Sequence, residues 1–160
     1  LYHSLSVDDF TGTSQGKDGK RGLKAFEDIP DVSVMAIPGI TNENVPGAQN
    51  ALVTHCQQMK NRFAVLDLPE GIEQTAEIAR YRETINSSYA AVYHPWIKVF
   101  DPLVHQEVFI PPSGSVIGVY ARTDNDRGVF KAPANVPLLN ATDLKFTIDR
   151  GEQDILHPRP

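Results

Sequence analysis

Residues 111–135, PPSGSVIGVYARTDNDRGVFKAPAN, hold more side chains capable of chemistry than any other stretch of the chain. Ser113 and Ser115 invite comparison with a nucleophile elbow, in which a strained turn lifts a serine hydroxyl out of a strand-to-helix junction. The spacing fails: Ser115 is flanked by Gly114 and Val116, with Ser113 and Ile117 outside them, so G-x-S-x-G is not met. Ser113 stands instead where a helix N-cap belongs, after the Pro111-Pro112 stop and ahead of Val116, Val119 and Tyr120 at helical spacing. Gly118 lies inside that helix, where it costs about 1 kcal/mol relative to Ala, so a close packing neighbour is expected there. Asp124 to Gly128 reads as a charged turn, with Lys131-Ala132-Pro133-Ala134 leading out towards Asn135. Arg122, Asp124, Asp126 and Arg127 have two readings: a solvated turn, or charged pairs across a subunit boundary, where an arginine fork gives register more than raw affinity.

Other candidate chemistry is thin. His55 and Cys56 are adjacent and point to different faces of a helix, which disfavours a nucleophile and base pair. The histidines His3, His55, His94, His105 and His157 show no i, i+4 pair and no cysteine at ligand spacing, so no metal site is expected. Asp67, at the end of an apolar run, is expected to cap nearby backbone. The Gly- and Lys-rich loop of residues 11–22 lacks G-x-x-x-x-G-K-[ST], so no phosphate cradle is read there. Trp96, beside Pro95, is assigned to the core.

The elements that would position these residues follow from periodicity. Residues 32–37 (VSVMAI), 63–68 (FAVLDL) and 89–100 (YAAVYHPWIKVF) read as strands, the last bent or at an edge because it contains Pro95. Between them, Pro46 opens a helix with Ala48, Leu52, Cys56 and Met59 on one face. A second helix over 72–85 turns Ile72, Ala76, Ala79 and Ile85 inward. Apolar strands alternating with helices indicate α/β: a mostly parallel (mixed) sheet covered on both faces. Short strands are expected at 108–110 and 144–148, a helical turn at 23–26 and another at 153–156, and an edge strand or tail over 1–10. The domain reading is an edge segment and loop over 1–22, the core over 23–156 and a trailing end from 157 to 160.

With 160 residues, 41% hydrophobic and 22% charged, one soluble globular domain is expected. The net charge of −5 and a single basic cluster at 17–24 argue against nucleic acid as partner. Cys56 alone allows no internal disulfide and suits a reducing compartment. No apolar run reaches the roughly 18 residues a span needs, so no membrane contact is read, and the start carries no signal-peptide pattern. A non-secretory domain is expected, which makes the N-x-S/T triplets at Asn86 and Asn140 chance matches.

Three blocks together resemble the tail sheath proteins of contractile phages and related injection machines. The first is GLKAFED at 22–28, running into VSVMAIPGI at 32–40; the second is RFAVLD at 62–67, followed by YAAVYHPWIKV at 89–99. The third is PPSG at 111–114 through GVYARTD at 118–124 and RGVFKAPAN at 127–135. The resemblance covers roughly residues 20–155, in the family's order and spacing.

What the resemblance implies is a non-enzymatic structural subunit that polymerises helically around an inner tube and contracts to drive the tube through a target envelope. It implies a homo-oligomer, contacts with the tail tube protein and baseplate, no cofactor, and a place in a virion tail or tail-like particle assembled in the bacterial cytoplasm. Pro111, Pro112, Ser113, Gly114, Gly118, Arg122, Asp124, Asp126, Arg127, Gly128, Lys131, Pro133 and Asn135 are its expected assembly or structural motif. Family members are longer and end in a carboxy-terminal domain and arms, so the chain is expected to be the core portion of such a subunit. Two rivals stand beside it. One is a doubly wound small-molecule enzyme using the strand ends near Pro38 and Asp67, with Arg122 as an anion clamp. The other is a non-contractile adaptor or capping protein on the same fold.

Overall fold

The run FAVLD is the axis of the molecule. The computed structural model describes residues 5–14 and 19–156. Phe63–Asp67 (β2) lies between Val34–Met35 (β1) and Ala90–Tyr93 (β3) in a parallel sheet, with Val34 opposite Phe63 and Ala64 opposite Ala90. Its residues from Ala64 to Asp67 are all buried, as a strand covered on both faces must be. Alternation sends Ala64 and Leu66 to one face, where they meet Leu52, Val53 and Cys56 of the helix Ala48–Met59 (α2, numbered after Val7–Thr11, α1). Val65 and Asp67 therefore point to the opposite face, which is covered by Ser113–Arg127 (α4).

The two connecting helices are close to expectation and differ in detail. α2 starts just after Pro46-Gly47 and buries Ala48, Leu52 and Cys56, whereas Met59 is only half-buried. The next helix, Thr75–Glu83 (α3), is shorter than the 72–85 pattern. Its buried residues are Ile78 and Ala79, of which Ala79 was expected; Ala76 is exposed, and Ile85 is buried just past its end.

The third strand departs most. Residues 89–100 form two strands, because Pro95, which has no N–H for a ladder and follows a cis His94-Pro95 peptide, ends β3. Beyond it Ile97–Asp101 (β4) leaves the parallel sheet and becomes the centre of a second, antiparallel one, ordered β5-β4-β6, with Gln106–Ile110 (β5) and Ala141–Leu144 (β6). The α/β class holds, but with two three-stranded sheets in place of one. β6 lies just ahead of the 144–148 segment expected, and a register shift at Lys98/Val99 accompanies its pairing.

Residues 7–11 are helical (α1) where the alternation of Leu5 and Val7 suggested an edge strand or a tail end. Ser6 and Asp9 close a capping box, and that local hydrogen bonding overrides a two-residue alternation. A 3-10 helix, Gly22–Asp28, fulfils the helical turn expected at 23–26, and Arg150–Leu156 (α5) contains the one expected at 153–156. The expectations for residues 1–4, 15–18 and 157–160, with His3 and His157, lie outside the described residues. Among the described residues no helix is long and apolar enough to cross a membrane.

Candidate functional site

Asp67 ends β2 and is 1% exposed, so a carboxylate there needs donors. It has three. The Ser113 N–H donates to Oδ1 at 2.8 Å, the Ser113 hydroxyl to Oδ2 at 2.7 Å, and the Gly39 N–H to Oδ2 at 3.2 Å. Burial raises the Asp67 pKa, while the bonds from Ser113 and Gly39 pull it back towards the carboxylate range. The expectation that Asp67 caps nearby backbone is met. Ser113 as N-cap is corrected: Pro112 occupies the cap position and Ser113 is the first helical residue, its orphan N–H satisfied by a carboxylate from another strand.

Around this clasp the polar groups are mutually engaged. Gln49, fully buried on α2, donates to the carbonyls of Asp67 (2.7 Å) and Ile40 (3.2 Å) and accepts from the Tyr81 hydroxyl (2.7 Å). Trp96 donates to the Leu68 carbonyl at 2.9 Å. A wide, open groove beyond the strand ends is lined by Asn42, Glu43, Glu77, Arg80 and Trp96, with Pro111 at its wall. Asp67 does not line it, and the Asn42 and Asn44 amides already donate within the protein, to Asn50 and the Gly39 carbonyl. Ser113 is fully buried with its hydroxyl given to Asp67, which leaves it no path to a substrate. Among the described residues no cluster of His, Cys, Asp or Glu is placed to hold a metal ion.

α4 carries the rest of the motif. Val116, Val119 and Thr123 are buried, and Tyr120 meets Tyr93 of β3 through a hydroxyl–hydroxyl hydrogen bond, their rings edge-on at 6.4 Å. Burial, and then the Tyr120 hydroxyl, push the Tyr93 phenol well above its ordinary pKa. Gly118 is exposed, and a Cβ added there would find nothing within 4 Å, so the expected close approach is absent; Gly114 is likewise open. Gly118 sits on the solvent face because the buried stripe is 116, 119 and 123.

The charged turn expected at 124–128 is the last turn of the helix, closed by the Gly128 N–H on the Asp124 carbonyl. Gly128 has a φ of +92°, where a side chain is strained, and an added Cβ would lie 2.8 Å from the Phe130 ring. Arg122 donates to the Pro137 carbonyl at 2.9 Å and so braces the returning loop, away from the strand ends where an anion clamp would be needed. Asp124, Asp126 and Arg127 are exposed and form no ion pair among the described residues. Lys131 turns back on the Ala132 carbonyl, Pro133 is half-buried, and Asn135 takes a left-handed φ of 57°. Pro112 is buried and Pro111 half-buried.

Two features escaped sequence reasoning. Arg62 is 3% exposed and donates to the carbonyls of Phe26 and Ile29 (2.9 Å each) and to Asn61 (3.0 Å), binding the 3-10 helix to the sheet. It also meets His55 Nε2 at 3.1 Å, and since a guanidinium only donates, Nε2 accepts. Val129 and Phe130 are the other feature, both apolar and both uncovered. A charged residue opening a strand and an apolar pair after a glycine were the only signals for either.

The family model described as the phage tail sheath protein central domain matches residues 12–158. A solved PVC sheath complex, from an extracellular contractile injection system in its contracted state, is 32% identical over 84% of this chain and 36% of its own, with a TM-score of 0.65. The anti-feeding prophage baseplate structure gives 28% identity over 83% and 36%, with a TM-score of 0.62. The contracted helical sheath of the same prophage gives 28% over 81% and 34%, also at 0.62. The chain thus spans about a third of the length of these solved proteins. No curated protein matches the sequence. By a match covering nearly its whole length, the chain belongs to the phage tail sheath protein family, through that family's central domain.

Proposed function

We propose that this chain is the α/β core of a structural subunit of a contractile sheath, one that packs helically with copies of itself around an inner tube and shortens to drive the tube through a target envelope. The observation that carries this reading is the family match over residues 12–158, supported by likeness to two contracted sheath structures. Among the described residues the chemistry-bearing side chains at the strand ends, Asp67, Ser113, Gln49 and Tyr81, bind one another or nearby backbone. The subunit works without catalysis, its partners are further copies, a tail tube protein and a baseplate, and it resides in a virion tail or tail-like particle built in the cytoplasm.

The motif residues divide the labour in this reading. Pro111, Pro112 and Ser113 anchor α4 to the sheet; Gly128, Pro133 and Asn135 shape the loop after it. Arg122, Asp124, Asp126, Arg127 and Lys131 supply charges for subunit contacts, the core spanning residues 23–156. Electron microscopy of the complete protein tests this: tubes in a long narrow and a short wide form are expected, and monodisperse particles under every condition would overturn it.

A further inference from the structure

Arg62 is a buried cation without a counter-charge. It is 3% exposed, and among the described residues no carboxylate pairs with it. All its acceptors are neutral. Nε donates to the Asn61 side chain, Nη1 to the Phe26 carbonyl and Nη2 to the Ile29 carbonyl, and Nη1 also meets His55 Nε2 at 3.1 Å. His55 is 5% exposed on α2. The two carbonyls belong to the 3-10 helix and to Ile29, which caps it. The guanidinium that fastens this helix to the start of β2 therefore leans on a neutral imidazole.

A proton on His55 reverses one of these bonds. An imidazolium carries N–H on both nitrogens, so Nε2 turns from acceptor to donor and faces a donor of Arg62. Two like charges then stand together in a site closed to water, where they are poorly screened. Burial and then Arg62 hold the His55 pKa below its usual 6.5, and Lys24 acts in the same direction. Glu27 alone opposes them among the described residues, and its carboxylate is already engaged by Lys20 at 3.3 Å and Lys24 at 3.0 Å. The repulsion is relieved when Arg62 swings out to water. The Phe26 and Ile29 carbonyls lose their donor as it goes.

We infer that His55 is an acid-sensitive latch: a proton on its imidazole displaces Arg62 and lets residues 22–29 lift from the start of β2 while the parallel sheet stays folded. Leu23 packs on the cluster that holds Met35 and Leu52, so the lift brings water to that part of the core. The open form gives His55 its ordinary proton affinity. The closed form is therefore favoured above about pH 6.5 and loses about tenfold to the open form for each pH unit below it, until the closed imidazole itself titrates. The latch acts within one chain and is independent of the sheath reading.

Hydrogen exchange of the complete protein at about pH 7.5 and 5.5, taken as protection relative to the free-peptide rate at each pH, reads the latch. Peptides over residues 22–29 lose about tenfold in protection between those values, with β2 unchanged. His55→Gln keeps an acceptor for Arg62 and cannot titrate, so its protection is the same at both. Glu27, its pKa held down by Lys24 and then Lys20, keeps its charge throughout this window. A flat wild-type profile overturns the inference, and so does an equal drop in His55→Gln. A drop shared by β2 is general acid unfolding and overturns it as well. If His55→Gln is already open at neutral pH, the wild-type imidazole decides by its proton resonance: a midpoint below about 6.5 supports the latch, and one at or above that value overturns it.

Discussion

The carboxylate of Asp67 accepts both the backbone N–H and the hydroxyl of Ser113, 46 residues further along the chain. One buried side chain thereby ties the end of the central strand to the start of the motif helix, and through Gly39 to the turn after β1. Three donors on two oxygens also fix the direction in which α4 leaves the sheet. Whatever α4 presents at its far end is aimed by this junction.

Substitutions at the clasp should separate by how many donors they strand. Ser113→Ala removes one hydroxyl bond to a charged acceptor, a loss of about 1.5–3 kcal/mol. Asp67→Asn keeps one acceptor oxygen and sets an NH₂ against at least the Ser113 N–H, so it should cost at least as much, and Asp67→Ala, which strands all three donors, about 3–5 kcal/mol. Urea unfolding followed by circular dichroism measures the order. An Asp67→Asn protein as stable as the wild type would show that the carboxylate is dispensable.

The two glycines of the motif respond in opposite directions. Gly118 is exposed, helical and free of neighbours, so Gly118→Ala should stabilise by about 0.5–1 kcal/mol through helix propensity and a less flexible unfolded chain. Gly128→Ala forces a Cβ into a positive-φ position against the Phe130 ring and should destabilise by more than about 1 kcal/mol. Thermal melts of the pair decide it, and a destabilised Gly118→Ala would reveal a neighbour at that position.

Arg62 gives a prediction about one segment. Lysine at this position keeps the charge and loses the fork that spans the Phe26 and Ile29 carbonyls, so Arg62→Lys should cost about 2–3 kcal/mol. The loss should appear as faster hydrogen exchange across residues 22–29, with the amides of β2 less affected. Unchanged exchange there would mean that the 3-10 helix is held by its apolar contacts alone.

How much was legible in the sequence follows from the range of the interactions. β2, α2 and the parallel arrangement are set by continuous apolar runs and a helical period, and a linear reading captures them. Pro95 was visible as a break, but its consequence was not. Whether β4 bends within one sheet or founds another depends on partners at 106–110 and 141–144, which periodicity cannot assign. Ser113 looked like its own helix cap because the true acceptor, Asp67, is distant in sequence. Gly118 looked like a packing site because propensity alone does not say which face of a helix is wet. The exposure of Phe130 is a tertiary fact with no periodic trace.

His94 supplies the pH dependence. Neither ring nitrogen has a partner among the described residues, its ring lies 4.6 Å from that of Phe146, and burial pushes its pKa down from 6.5 to about 4. Between those values the unfolded chain holds a proton that the folded chain refuses. Stability is therefore present above pH 6.5 and is lost as the pH falls towards 4, by about 2–3 kcal/mol. His55, its pKa lowered by burial and then by Arg62, adds to the loss. Asp67 acts with the opposite sign: its raised pKa lets the folded state take a proton first, which favours folding as the pH falls. The contributions separate in a His94→Phe variant, which fills the same space with no polar atom to bury. It should match or exceed the wild type at pH 7 and show a flatter stability curve between pH 6.5 and 4. If the curve keeps its slope, the acid sensitivity belongs to His55 or to the surface carboxylates, and His94 is not its source.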